Sequence, residues 1–145
     1  MTQSPKSRID IVRFYFQEID EGRFPHQLFT PDFEFYFPKF GVGRGLVEFG
    51  ELAAGMIASG NKVGHCHDSF SFIEADRHVV VEGATRGTTG EGIAWKGGDT
   101  PGGRFSSIFD FDGQGLIERM FVYLDPDYAN ADTARLYWKR EKPSW

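Results

Sequence analysis

His65 and His67 are the residues of this chain whose type and spacing point most directly to chemistry. They are two apart in an alternating stretch, so they share one face of a strand with Val63. Two imidazoles on one wall can serve as general acid and general base near neutral pH, where the unperturbed imidazole titrates. The same pair could equally sit hydrogen-bonded to neighbours at a strand end. As metal ligands they would need a third donor, and Glu82 and His78 lie on the next strand with matching parity. The expectation is no bound metal and no cofactor. Tyr15 flanks a helical stripe, so its ring reaches the core and its hydroxyl needs a partner, either a substrate carbonyl or a buried protein group. Glu82 faces inward if Val80 and Ala84 do; a carboxylate there needs a raised pKa or a cation such as Arg86 or a histidine, or else it forms an ion pair at a pocket rim. Asp125, before Pro126, either ends a strand in a turn or points to a pocket mouth. Cys66 has the opposite parity from the histidines and reads as a packed thiol.

These groups need elements to position them. Ile9, Val12, Phe16 and Ile19 form the apolar stripe of a first helix, opened by Ser4-Pro5 and ended by Gly22. A short second helix is predicted from Arg23 to Phe29, and a strand from Phe33 to Phe37. Leu46, Phe49, Leu52, Ala53, Met56 and Ile57 define a third helix closed by Gly60-Asn61. Strands follow over 63–73 and 78–86, with a possible short one at 93–96 inside the glycine-rich 87–103 segment. That segment is either a lid or a hairpin loop, and Trp95 either folds over a ligand or docks on the sheet. The stretch from Arg104 to Asp125 is a hairpin turning at Asp112-Gly113-Gln114-Gly115. Phe105, Ser107, Phe109 and Phe111 share one face; Met120, Val122 and Leu124 supply the same face of its second strand. The opposite face, with Ile117, Arg119, Phe121 and Tyr123, is also largely apolar, so the sheet should be covered on both sides. A tail helix over 131–139, or a tail docked by Leu136, Tyr137 and Trp138, closes the chain.

Composition narrows the classes. At 145 residues and 40% hydrophobic, the chain fits one domain with its own core. A net charge of −5 and no basic stripe argue against a nucleic-acid partner. The single Cys66 excludes an internal disulfide and fits a reducing compartment. No stretch reads as a membrane span or a signal peptide, so a cytoplasmic protein is expected. Helices first and strands after give an α+β domain over 1–145.

Three motifs carry a resemblance: FYFQEIDEGR at the end of the first helix, GTTGEGIAWKGGDTPGGRF before the last hairpin, and FDGQGLIERMFVYLDP within it. With the order of elements they resemble the nuclear transport factor 2 superfamily in its SnoaL-like branch, from about Arg8 to Asp132. The resemblance implies a cone-shaped, curved antiparallel sheet closed by three N-terminal helices around a pocket, with homodimers formed through the outer sheet face. It implies that Val63, and with it His65 and His67, points into that pocket. In the related ketosteroid isomerases a helix-one tyrosine helps bind the oxyanion, and Tyr15 matches it. Their general base, an Asp before a Pro, corresponds to Phe37 before Pro38; their neutral Asp corresponds to Ser107. The aspartate of the related polyketide cyclases corresponds to Val122. The chain thus departs from both acid sets. Scytalone dehydratase, a more distant relative, uses histidines and tyrosines.

The reading that follows is a pocket for a small hydrophobic, oxygenated molecule. Its expected lining is Tyr15, Phe37, His65, His67, Glu82, Phe105, Ser107, Phe109, Val122 and Leu124. One use is proton transfer by a cofactor-independent isomerase, dehydratase or cyclase, with His65 or His67 as base and Tyr15 as oxyanion donor. The alternative is a binding or accessory protein without catalysis; a protein-interaction module is a third.

Overall fold

The computed structural model describes residues 6–136 and 138–145. Helix α1 spans Arg8–Asp20 and starts at Ser7, whose hydroxyl accepts the Asp10 N–H at 3.1 Å. The predicted opening at Ser4-Pro5 lies outside the described residues. The predicted second helix shrinks to one 3-10 turn, His26–Leu28, with Phe29 already extended. Its flanks explain this: Phe24 precedes Pro25 and Thr30 precedes Pro31, and a residue before proline is pushed out of the helical region. Two α-helices therefore cover the sheet among the described residues, not three. The other is α2, Gly45–Ser59, which stops at Gly60 in the left-handed region (φ +74°). The predicted tail helix does not form among the described residues either: residues 131–136 form turns. Leu136 and Trp138 are exposed rather than docked, and Tyr137 lies outside the described residues.

The strands are β1 Phe29–Phe37, β2 Gly41–Arg44, β3 Lys62–Ala75, β4 His78–Thr88, β5 Ala94–Lys96, β6 Arg104–Phe111 and β7 Ile117–Leu124. They form one sheet in the order β2-β1-β7-β6-β4-β3, with β5 added to the end of β4. The expected all-antiparallel sheet is corrected at one pair: β1 and β7 run parallel. The last strand slots between the first strand and its hairpin partner, an arrangement no local pattern encodes. Register shifts in β3, in β6–β7 and in β1–β7 bend the sheet. In β3 the extra residues are tied down by Ser69, whose hydroxyl donates to the Cys66 carbonyl at 2.6 Å and accepts the Ala84 N–H at 2.9 Å.

The concave face carries the core. Val12 and Phe16 of α1 and Leu52 of α2 meet Phe33, Phe35, Val79, Val81, Phe105, Phe109 and Met120 of the sheet. Ile117 is fully buried as well, against its parity, because the β6–β7 shift aligns Phe111 with Ile117 while Asp110 faces Arg119. Strand β4 turns Val79 and Val81 inward, both with no exposure. Glu82 is consequently exposed on the outer face, and the expectation that it lines the pocket is corrected.

The convex face carries a row of charges that crosses five strands in register: His78, Asp110, Arg119, Glu34 and Arg44. Each neighbour has the opposite sign once His78 is protonated, with His78 Nδ1 to Asp110 at 2.7 Å, Arg119 to Asp110 at 3.5 Å and Arg119 to Glu34 at 3.7 Å. Arg44 closes on Glu34.

Candidate functional site

Between α1, α2 and the concave face lies a cavity of about 360 Å³. It is lined by Tyr15, Phe16 and Ile19 of α1, Phe49, Leu52 and Met56 of α2, Phe37 of β1, and Val63 and His65 of β3. Thr85, Phe105, Ser107, Met120, Val122, Leu124 and Tyr128 add to the wall, and Arg23 and Asn61 are further polar members of it. The lining is mostly apolar, which suits a small hydrophobic molecule held by a few polar points.

Of the residues singled out from sequence, Tyr15, Phe37, His65, Phe105, Ser107, Val122 and Leu124 come together on this wall. Phe109 lies beneath it, fully buried, with its ring edge-on to Tyr15 at 5.5 Å and to Phe16 at 5.9 Å. His67 sits apart from the lining, its side chain 36% exposed. Glu82 and His78 are on the outer side, and no group of three metal-binding side chains converges among the described residues. Asp125 accepts the Asp127 N–H at 2.9 Å, the turn-forming alternative. Trp95 docks rather than closing over the cavity: it is 3% exposed, stacks on Tyr128 at 4.1 Å, and donates its indole N–H to Thr85 Oγ1 at 3.1 Å.

Sequence reasoning missed the group that organises this site, Asp20. Its Oδ1 lies 2.6 Å from His65 Nδ1, its Oδ2 lies 2.7 Å from His67 Nε2, and it also accepts the His65 backbone N–H at 3.1 Å. A signal was present: Asp20 follows Phe16 by four residues, so a carboxylate falls on the apolar stripe of an amphipathic helix. It also sits in the last turn of α1, where the helix dipole disfavours negative charge. Half-burial works to raise its pKa, but the hydrogen bonds and charge interaction from His65, with the bond from His67, outweigh burial and hold the carboxyl below its ordinary value.

An ionised carboxylate only accepts hydrogen bonds. With both rings neutral, His65 must therefore carry its proton on Nδ1, and Nε2 keeps the lone pair. No hydrogen bond to Nε2 exists among the described residues. The ring packs against Phe16 at 4.7 Å and Phe105 at 5.2 Å between centroids, and Asp20 holds its Nδ1. Tyr15 is buried, and burial, with the Asp20 charge, pushes its phenol well above the usual range, so it stays a donor. Tyr128 is pushed up to about 12 by burial and by Asp125. Ser107 Oγ is buried without a hydrogen-bond partner. An unsatisfied buried hydroxyl costs about 1–3 kcal/mol, which an occupant of the cavity can recover.

No family model matches the chain, and no curated protein matches it. Solved structures do. A candidate polyketide cyclase from Pseudomonas putida superposes with a TM-score of 0.70 at 12% identity, over 86% of this chain and 96% of that one. An NTF2-like protein of unknown function from Burkholderia pseudomallei gives 0.67 at 17% identity, over 83% and 92%. TerC, crystallised with polyporic acid, gives 0.66 at 19% identity, over 81% and 91%. No helix of the described residues is long and apolar enough to cross a membrane. Two helices laid across a bent mixed sheet, enclosing a mostly apolar cavity and matched over most of their length by these structures, form an α+β domain with the NTF2-like fold.

Proposed function

We propose that the cavity binds a small hydrophobic molecule bearing one or two oxygens, and that His65 moves a proton on it. The observation that carries this is His65 on a mostly apolar cavity wall, with Asp20 behind it bonded to Nδ1 at 2.6 Å. His65 Nε2 takes a proton from carbon next to a carbonyl; the C–H pair moves into the enolate, whose oxygen accepts a hydrogen bond from the Tyr15 phenol. Asp20 stays ionised and stabilises the imidazolium. Returning the proton to a different carbon is isomerisation; returning it to a departing hydroxyl is dehydration. No cofactor enters either route. Polyporic acid, the TerC co-crystal ligand, belongs to that neighbour and is consistent in kind with an oxygenated ring compound.

One observation favours binding without chemistry. Phe37 and Val122 line the cavity, at positions that the resemblance matches to the carboxylates of ketosteroid isomerases and polyketide cyclases. Native mass spectrometry of gently purified protein is expected to show one small ligand per chain under either reading. Ser107→Ala should weaken that ligand while leaving the fold intact. Protein that binds no oxygenated apolar compound, copurified or offered, would end both readings.

The same proposal includes a homodimer through the convex face. Tyr36 meets Phe121 at 5.5 Å and Tyr123 at 5.6 Å, forming an aromatic patch with Tyr123 46% exposed. Phe121→Arg is expected to turn a dimer into monomers by light scattering. A wild type that is monomeric at micromolar concentration defeats the idea.

A further inference from the structure

A second depression, of about 580 Å³, opens on the convex side at the far end of β3, β4 and β5. Its walls include Lys62, Arg86 and Lys96, all exposed, with Thr88 between them and Gly64 as floor. The register explains the grouping. Gly64, Arg86 and Lys96 face one another across three strands, and Lys62 stands opposite Thr88 one step along. Arg86 and Lys96 are thus a directly opposed like-charge pair, an arrangement that destabilises a sheet. Lys96 has one weak contact, 3.9 Å from exposed Asp99. No carboxylate comes within ion-pair distance of Lys62 or Arg86 among the described residues. Nothing lies within 4 Å of the place a Gly64 side chain would occupy, so the floor is open.

Composition does not account for this cluster, because the chain as a whole carries −5. Across the same face the row from His78 to Arg44 is paired strand by strand. Here Arg86 faces Lys96, Lys62 stands one step along, and exposed Asp99 is the one carboxylate within 4 Å of any of the three among the described residues.

We propose that this depression is an anion site for a ligand with two adjacent phosphates. Three cations spread over two strand spacings, roughly 10 Å, match a diphosphate better than a lone carboxylate. Arg86 offers a planar fork, the two lysines offer point charges, and Thr88 adds a hydroxyl donor. The site is independent of the cavity and of what the cavity does.

The test titrates the whole protein with inorganic diphosphate by calorimetry at low ionic strength, in parallel with ADP. Saturable binding that weakens as salt rises is expected. A Lys62→Gln/Arg86→Gln variant should lose about tenfold or more in affinity. Lys96→Gln should raise the melting temperature of the free protein, by removing the opposed charge, while shrinking the stabilisation that diphosphate gives. Tighter binding of ADP than of diphosphate assigns the phosphates to a nucleotide; equal binding assigns them to a free anion. No saturable binding, an unchanged affinity in the double variant, or saturation by an acidic peptide but not by diphosphate overturns the proposal. All three side chains are exposed, so loss of folding does not stand in for loss of binding.

Discussion

Replacing His65 by alanine is expected to cut proton exchange on the bound ligand by about 10²–10⁴, the range typical for removal of a general base. The readout is incorporation of solvent deuterium next to the ligand carbonyl, followed by mass spectrometry. Asp20→Asn should cost a comparable factor by a different route. An amide can donate to Nδ1, which moves the imidazole proton to Nε2 and removes the lone pair. His67→Ala should cost less than about tenfold, because its ring sits off the cavity wall and is 36% exposed. This ordering separates chemistry from scaffolding: all three side chains belong to one hydrogen-bonded cluster, and a purely structural cluster would respond similarly to the loss of either histidine. If His65→Ala exchanges deuterium within a few fold of wild type, the protein is a binder and the proton-transfer reading is lost.

The largest loss of stability should come from Gly87→Ala. A methyl there would stand 1.9 Å from the Lys62 carbonyl oxygen and 2.7 Å from the Trp95 ring. Neither neighbour can yield cheaply. The Lys62 carbonyl belongs to backbone that is part of the β3–β4 pairing, where Val63 faces Gly87. Trp95 is held by its bond to Thr85 and by its stack on Tyr128. Overpacking of a core typically costs 1–3 kcal/mol; with backbone as the obstacle we expect roughly 3 kcal/mol or more. For a chain this size that is a fall on the order of 10 °C in melting temperature. Gly113→Ala is the control: it lies in the hairpin turn, with nothing within 4 Å of the added carbon. It should change stability by no more than about 0.5 kcal/mol. A Gly87→Ala protein that melts within a degree or two of wild type would show that β3 and Trp95 adjust freely.

Local pattern carried much of this architecture. The period-2 alternation of Phe105, Ser107, Phe109 and Phe111 marks the inward face of β6, of which Phe105 and Ser107 reach the cavity, and the Gly60 stop marks the end of α2. What failed was non-local or degenerate. The consecutive valines 79–81 do not reveal which of them faces the core, so sequence parity alone leaves the side of Glu82 open. The parallel β1–β7 pairing joins segments more than 80 residues apart, such as Glu34 with Arg119, and leaves no trace in either. Asp20 looked like an ordinary helix terminus because its partners lie 45 and 47 positions away. The three cations of the convex depression come from three strands, so no basic run marks them.

The charged row on the convex face has a consequence for how the chain reaches this fold. Exposed ion pairs add only about 0–1 kcal/mol each, so the row contributes modestly to the finished sheet. Its effect falls on the alternatives. A strand that slips by two residues keeps its apolar face inward, and hydrophobic burial alone would tolerate the error. With the row in place, such a slip in β7 sets Ile117 or Phe121 opposite Asp110 and leaves Arg119 unmatched. Slips of β6 and β1 are penalised in the same way. The parallel β1–β7 contact closes a long loop and forms late if local pairings form first. The alternating charges then act as a ruler across the sheet, selecting among near-equivalent alignments at the step where the chain has least local guidance.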